Sequence, residues 1–321
     1  MKKDKIVAVV VTYNRKHLLK RCINAILRQE YKVDKIIVID NASTDGTEEM
    51  MTKTYYRNKK IDYVRLDKNI GGAGGFHYGM KKAYKEGYDW IWVMDDDGYA
   101  DKKCLKNILK NMPENKYDFT YLPLVINEKH ELTWPMELIL NNKIYRIYNI
   151  NEIKNITRNH QLLYHNGAGL LGSLYSKQII KKIGLPKKEL FIRGDEVEYN
   201  LRAISNKINT IFIKDAKFFH PKQEFKVIKF FKKEIYFIHA NVNLFKLFFI
   251  IRNFTYININ YRKFPLNVIL FTGFLLKWLF SLVYFSNFRN NLMKSLKIFI
   301  IALYKGLRKD FNNEDILKFL K

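Results

Sequence analysis

Three adjacent carboxylates, Asp95, Asp96 and Asp97, follow directly on the apolar run Trp90-Ile91-Trp92-Val93-Met94. Acids packed this closely repel one another unless a cation or a positively charged substrate offsets them. Oxygen ligands on a short turn suit Mg²⁺ or Mn²⁺, which bridge one or two carboxylates to the phosphates of a bound nucleotide. In isolation the same three residues also fit an exposed acidic turn, so the reading depends on the rest of the chain. Four glycines in Asn69-Ile70-Gly71-Gly72-Ala73-Gly74-Gly75-Phe76 separate a strand-like run from a helical one. In that setting backbone amides and a helix N-terminus can receive a pyrophosphate. The spacing is not G-x-G-x-x-G and the run follows the third strand, where a dinucleotide fingerprint follows the first. A nicotinamide or flavin dinucleotide is therefore disfavoured. A further acidic cluster gathers Asp195, Glu196 and Glu198.

These groups need elements to hold them. Residues 6–12 form an unbroken run dominated by β-branched side chains, as in a strand buried on both faces, and residues 35–40 repeat it. Between them Leu18, Leu19, Cys22, Ile23, Ile26 and Leu27 recur at helical spacing, which makes a β-α-β unit. Strands at 62–66 and 90–94, with a helix at 76–86, continue the alternation expected of a parallel sheet covered by helices. Ligands of such sheets bind beyond the carboxyl ends of the strands. Thr12-Tyr13-Asn14, Asp40-Asn41-Ala42-Ser43, the glycine run and the three aspartates all fall at such ends. Residues 115–161 read as short strands and loops, an insert expected on the acceptor side. A helix is expected at 177–183 and a strand at 210–213, ahead of Phe218-Phe219-His220-Pro221.

Near residue 222 the composition changes. The chain has 321 residues and a net charge of +26, and residues 222–321 carry 18 Lys and Arg against 5 Asp and Glu. Bulky apolar residues are interleaved with these lysines, a pattern that fits anionic lipid better than nucleic acid. Residues 266–285 are long and apolar enough to span a bilayer, but Lys277 near the centre makes lying in the interface cheaper. Leu292, Leu296, Phe299, Ile300 and Leu303 form a second apolar helical face. Cys22 and Cys104 are the only cysteines, and no secretory signal opens the sequence, so a cytosolic, reducing location is expected.

Five segments in order resemble the inverting family 2 glycosyltransferases, and within them the bacterial galactofuranosyl- and rhamnosyltransferase branch. These are Val-Thr-Tyr-Asn-Arg at 11–15, Val-Ile-Asp-Asn-Ala-Ser-Thr-Asp-Gly-Thr at 38–47, the Asn-x-Gly-Gly-x-Gly-Gly-Phe run, Met-Asp-Asp-Asp at 94–97 and Leu-Phe-Ile-Arg-Gly-Asp-Glu-Val-Glu-Tyr-Asn-Leu-Arg at 190–202. The resemblance covers residues 5–221. It implies a GT-A, Rossmann-like α/β catalytic domain with a mostly parallel central sheet over residues 1–221, and a helical membrane-associating region over 222–321. It further implies that Thr12, Asp40 and Asn41 contact base and ribose, and that Asn69, Gly71, Gly72 and Gly74 line the pyrophosphate. Asp95 and Asp97 match the D-x-D pair that binds Mn²⁺ or Mg²⁺, Asp96 faces sugar or ribose, and His220 falls at a third metal-ligand position. Glu196 aligns with the general base, where the family usually has Asp, and Asp195 is the alternative. Glu198 fits a solvated helix start. Arg202 is expected to pair with an acid or touch phosphate, and Trp134 and His165-Asn166-Gly167 to shape the acceptor pocket.

The expected activity is metal-dependent, inverting transfer of a sugar from a nucleotide-diphosphate donor, of UDP-galactofuranose or dTDP-rhamnose type. The expected acceptor is a lipid-linked glycan carried on a polyprenyl diphosphate, in bacterial cell-surface polysaccharide synthesis. The enzyme is expected to sit peripherally on the inner face of the cell membrane, to bind no nucleic acid, and to be able to form homo-oligomers. The competing expectations are a non-catalytic sugar-nucleotide-binding subunit of an assembly complex and, from charge alone, a nucleic-acid binder. A processive synthase is disfavoured by the lack of a Gln-x-x-Arg-Trp motif.

Overall fold

The structure is a computed structural model. It describes residues 3–140, 143–156, 162–164, 169–222, 224–230, 233–239, 242–262, 265–314 and 316. The chain divides into two compact units, one formed by Met1–Lys188 and Tyr199–Lys222, the other by Glu189–Glu198 and Gln223–Lys321.

The first unit begins with β1 (Ile6–Thr12), α1 (Lys16–Leu27), β2 (Lys35–Asp40), α2 (Thr47–Tyr55), β3 (Ile61–Arg65), α3 (Gly71–Lys85) and β4 (Trp90–Asp95). Next come β5 (Tyr99–Ala100), α4 (Cys104–Lys110), β6 (Phe119–Ile126), β7 (Met136–Leu140), β8 (Lys143–Ile147), α5 (Ile150–Ile156) and β9 (Leu162–Tyr164). The last are β10 (Ser173–Ser176), α6 (Lys177–Ile183), the part of α7 (Asp195–Ser205) from Tyr199 on, and β11 (Asn209–Phe219). An 11-stranded sheet runs in the order β3-β2-β1-β4-β10-β6-β11-β9-β7-β8, with β5 added against β11. β3, β2, β1 and β4 are parallel neighbours, and β10 joins β4 antiparallel.

The alternation along β1 sets the two layers. Ile6, Ala8 and Val10 face a core with Leu19, Cys22 and Ile23 of α1, whereas Val7, Val9 and Val11 face one with Phe76, Met80 and Ala83 of α3. Period-2 alternation with both faces buried explains why the run is continuously apolar.

Two elements differ from the sequence reading. α3 starts at Gly71 rather than at residue 76, so the glycines lie inside its first turns. Glycine weakens a helix by about 1 kcal/mol relative to alanine, but here close approach requires it: a Cβ on Gly75 would lie 2.5 Å from Val11 Cγ1, and one on Gly79 2.5 Å from Val9 Cγ1. β11 extends to Phe219, well past residue 213, because a bulge between Ile213 and Lys217 lets the strand pass its charged middle and resume pairing with β6.

The second unit holds the strand pair β12 (Phe225–Phe230) and β13 (Lys233–His239), then α8 (Leu244–Tyr261), α9 (Leu266–Tyr284), α10 (Ser286–Arg289) and α11 (Leu292–Arg308). The region is thus not wholly helical, since it opens with a hairpin. Its core gathers Leu247, Phe248 and Ile251 of α8, Trp278 and Leu282 of α9, and Ile298, Phe299 and Ala302 of α11. The apolar face expected at 292–303 is therefore spent within the unit, with only Ile300 of that set exposed, at 62%.

Candidate active site

β1, β2 and β4 end at the same edge of the sheet, at Thr12, Asp40 and Asp95. Asp96 is buried there, accepting a hydrogen bond from Thr12 Oγ1 at 2.6 Å and one from Arg15 Nη1 at 3.1 Å. Arg15 Nη1 also donates to Asp97 Oδ2 at 2.7 Å. Burial pushes the Asp96 carboxyl up to about 6, a rise that Arg15 and Thr12 only partly offset. Asp97 is held below the usual carboxylate range: burial opposes this, but the His220 ring and Arg15 outweigh it. Arg15 was legible only as the last residue of a motif, since its pairing partners lie 81 and 82 positions away.

His220 reaches the aspartates through strand pairing. β5 follows the acidic turn and aligns Ala100 with Phe218 and Tyr99 with Phe219. Gly98 allows it, because a Cβ there would lie 2.3 Å from the Phe218 ring. His220 Nε2 then lies 3.3 Å from Asp97 Oδ1, and Nδ1 lies 2.8 Å from Pro221 O. It is the charge of a protonated ring that lowers Asp97; in the neutral ring with Nδ1–H donating to that carbonyl, the Nε2 lone pair would face Asp97 and be open to a metal ion. Asp97 Oδ1 is buried without a hydrogen-bond partner. An orphaned carboxylate oxygen beside an imidazole nitrogen is a fitting pair of donors for Mn²⁺ or Mg²⁺. Among the described residues no three His, Cys, Asp or Glu side chains are gathered as a metal cluster, so the expected set of Asp95, Asp97 and His220 is assembled only as the pair Asp97 and His220. Trp134 stands edge-on to His220 at 6.3 Å between ring centroids. His165-Asn166-Gly167 lies outside the described residues.

The second strand end differs from expectation. Asp40 is fully buried, with Oδ1 accepting from Ser43 N at 2.9 Å and Oδ2 from Tyr63 Oη at 2.5 Å. It holds the turn after β2 rather than presenting an open carboxylate to a nucleoside. Asn41 is buried and donates from Nδ2 to Gly71 O at 3.3 Å, and Asn69 Oδ1 accepts from Gly71 N at 2.8 Å. Both asparagines fix the start of α3. Of the glycines, Gly74 and Gly75 are close-packed, and Gly72 has nothing within 4 Å of its would-be Cβ. Gly72 is therefore the place where a phosphate can come near the backbone amides of the helix N-terminus.

In the second unit, Asp195 and Glu196 open α7. Loss of solvent around Asp195, with the Glu196 charge beside it, pushes its carboxyl up to about 7. Glu198, expected to be solvated, is fully buried and accepts from the Tyr261 hydroxyl. In the first unit Arg202 donates to the carbonyls of Ile183 and Leu185 at 2.7 and 3.0 Å. Through these two bonds it ties α7 to the end of α6.

Comparison with known proteins places this architecture. Galactofuranosyltransferase GlfT1 of Mycobacterium tuberculosis is 33% identical over 234 residues, covering 70% of this chain and 73% of that protein. The GlfT1 of Mycolicibacterium smegmatis is 30% identical over 227 residues, covering 70% and 74%. Residues 1–349 of Staphylococcus aureus TarS, solved with UDP, superpose with a TM-score of 0.55 at 17% identity, covering 96% of this chain and 88% of that one. The description Glycosyl transferase family 2 matches residues 7–178. The family match over more than half of the chain, the relatives at 30–33% identity and the shared architecture together identify the protein as a member of glycosyl transferase family 2, a glycosyltransferase of GT-A fold.

Proposed function

We propose that the protein transfers a sugar, with inversion, from a nucleotide-diphosphate donor to a hydroxyl of a lipid-linked glycan. The observation that carries this is the single cluster Thr12, Arg15, Asp96, Asp97 and His220 on the edge of the sheet that also holds the open helix start at Gly72. Asp97 and His220, with Asp95 adjoining, would hold Mn²⁺ or Mg²⁺, which would neutralise charge on the diphosphate. The α3 N-terminus takes the pyrophosphate, and Asn69, Asn41 and Asp40 support it from behind. Tyr13, 45% exposed at the end of β1, offers a ring face to the base. Asp195 or Glu196 removes the acceptor proton as the hydroxyl oxygen bonds to the anomeric carbon and the carbon–oxygen bond to the diphosphate breaks. The similarity to galactofuranosyltransferases favours a galactofuranosyl donor over a rhamnosyl one. The basic, partly apolar second unit supports membrane attachment.

Thermal melting against a panel of nucleotide sugars, each with and without Mn²⁺, tests this reading. A ligand at 100 times its Kd stabilises by about 2.7 kcal/mol. UDP-galactofuranose should give the largest rise, and only with metal, and Asp97→Asn should abolish the metal dependence. Stabilisation by no nucleotide sugar, or an equal rise without metal, overturns the proposal.

A further inference from the structure

One row of side chains on α8 runs along the segment that leads into Asp195. Phe245, Phe249, Asn253, Ile257 and Tyr261 recur every four residues, an i±4 ridge. Phe249 stacks on the Phe191 ring at 4.9 Å and Phe245 meets its edge at 6.1 Å. Asn253 Nδ2 shares its two hydrogens among the carbonyls of Leu190, Ile192 and Arg193 at 2.9, 3.0 and 2.6 Å. Ile257 and Asn253 close over Gly194, and Tyr261 donates to Glu198. Arg252, fully buried, donates from Nε to Asn253 Oδ1 at 2.9 Å and from Nη2 to the carbonyls of Glu189 and Leu190 at 3.2 and 3.0 Å. That first bond fixes which way the Asn253 amide points.

The segment needs this support. Phe191, Arg193 and Gly194 have φ of 65°, 66° and 89°, a left-handed backbone that side chains other than glycine disfavour. Such conformations persist only when the surroundings over-determine them, and they collect at functional sites. Three polar contacts from one asparagine, to the carbonyls of Leu190, Ile192 and Arg193, are such an over-determination.

We infer that Asn253, oriented by Arg252, is a positioning residue for the general base: α8 sets the backbone of residues 190–194 and thereby the place of the first turn of α7. This rests on the assignment of the base to Asp195 or Glu196. Of the two, Asp195 follows the strained backbone directly, and its carboxyl, raised to about 7 by loss of solvent, is poised to accept a proton near neutral pH.

The test compares full-length Asn253→Ala, Tyr261→Phe, Asp195→Asn and Glu196→Gln in sugar transfer. The donor is the nucleotide sugar that stabilises most in the melting panel, and the acceptor is a polyprenyl-diphosphate-linked glycan. A misplacement of about 1 Å costs on the order of 100-fold in rate. Asn253→Ala should lose about that in kcat, keep its donor KM within about twofold, and change the acid limb of the pH profile. A structural role alone moves melting temperature and not that split. Turnover within about threefold of the parent by Asn253→Ala, with Asp195→Asn or Glu196→Gln inactive, overturns the positioning role and leaves the base assignment standing. Normal turnover by both acid variants overturns both. If Asn253→Ala does not fold, Tyr261→Phe decides, because it removes only a hydroxyl: a kcat fall of about tenfold at unchanged donor KM supports the inference, and an unchanged kcat overturns it.

Discussion

Asp195 joins two properties that pull in opposite directions. Its folded carboxyl is raised from 3.8 to about 7, so the ionised form is disfavoured by folding. Stability attached to this group is present at low pH and is lost as pH rises from about 4 through 7. If Asp195 is the proposed base it acts in the ionised form, and turnover should then fall as pH drops through 7. Asp195→Asn should therefore melt higher than the parent at pH 8 and equally at pH 4, while transfer is lost if Asp195 is the base. Melting curves at the two pH values check the first part, and an unchanged difference between them contradicts it. At this scale the sequence shows residue types and leaves partners hidden. Asp97 was legible from its motif, and His220 only through the family resemblance, which puts a third metal ligand at its position. Arg15 was not, since its contact with Asp96 and Asp97 depends on where β1 and β4 end in space. Asp40 looked like an open ligand because nothing in the sequence announces that Tyr63 and the Ser43 amide consume its oxygens.

At the scale of elements, the glycine run separates two roles within one helix. Gly79→Ala places a methyl group 2.5 Å from Val9 Cγ1 and 3.0 Å from Ile39 Cγ1. Overpacking of this kind costs about 1–3 kcal/mol, against about 1 kcal/mol gained in helix propensity, so the net result is a lower melting temperature. Gly72→Ala meets nothing within 4 Å and keeps only the propensity gain, so it should leave melting equal or higher. Its cost appears in binding, where the methyl group narrows the approach to the α3 amides and weakens nucleotide-sugar affinity about tenfold or more. Calorimetry for the fold and titration for the ligand separate the two, and equal behaviour of both variants would show the division of roles to be mistaken. The helix and strands were legible where period and length were clear: β1, β2 and α6 fall where the apolar pattern puts them. The start of α3 was not, because local propensity argues against helical glycines and only the proximity of Val9 and Val11 selects them. The bulge in β11, which carries the chain on to His220, was hidden for a similar reason: Lys214 and Asp215 end the apolar pattern without ending the strand.

At the scale of the molecule, charge asymmetry was plain in the sequence, but which apolar face meets the outside was not. An amphipathic stripe looks the same whether it meets lipid or another helix, and α11 turns Phe299, Ile298 and Ala302 into the core of its unit. The hairpin β12–β13 was hidden because lysines interleaved with apolar residues fit a strand as well as a membrane-facing helix. The outward surface is instead carried by α9, whose Asn267–Tyr284 is, among the described residues, the one helix long and apolar enough to cross a membrane, with mean hydropathy 1.6 and only 17% of it buried. Phe274, Trp278 and Leu282 face inward, leaving Ile269, Leu276, Phe280 and Val283 exposed, and α11 adds Met293, Ile300 and Tyr304. As proposed above, a bilayer interface would match both this apolar surface and the excess of lysine and arginine in residues 222–321, at about 1 kcal/mol per cation near an anionic surface. Full burial of one large apolar side chain contributes about 1.5–3 kcal/mol, so the apolar part should survive high salt and the ionic part should not. Full-length protein should therefore float with vesicles containing anionic lipid at low salt, and float less but measurably in 0.5 M NaCl. Leu276→Asp together with Val283→Asp should remain at the bottom under the high-salt condition while still melting like the parent. Parent protein that stays at the bottom with anionic vesicles at low salt removes the bilayer as the partner of this surface.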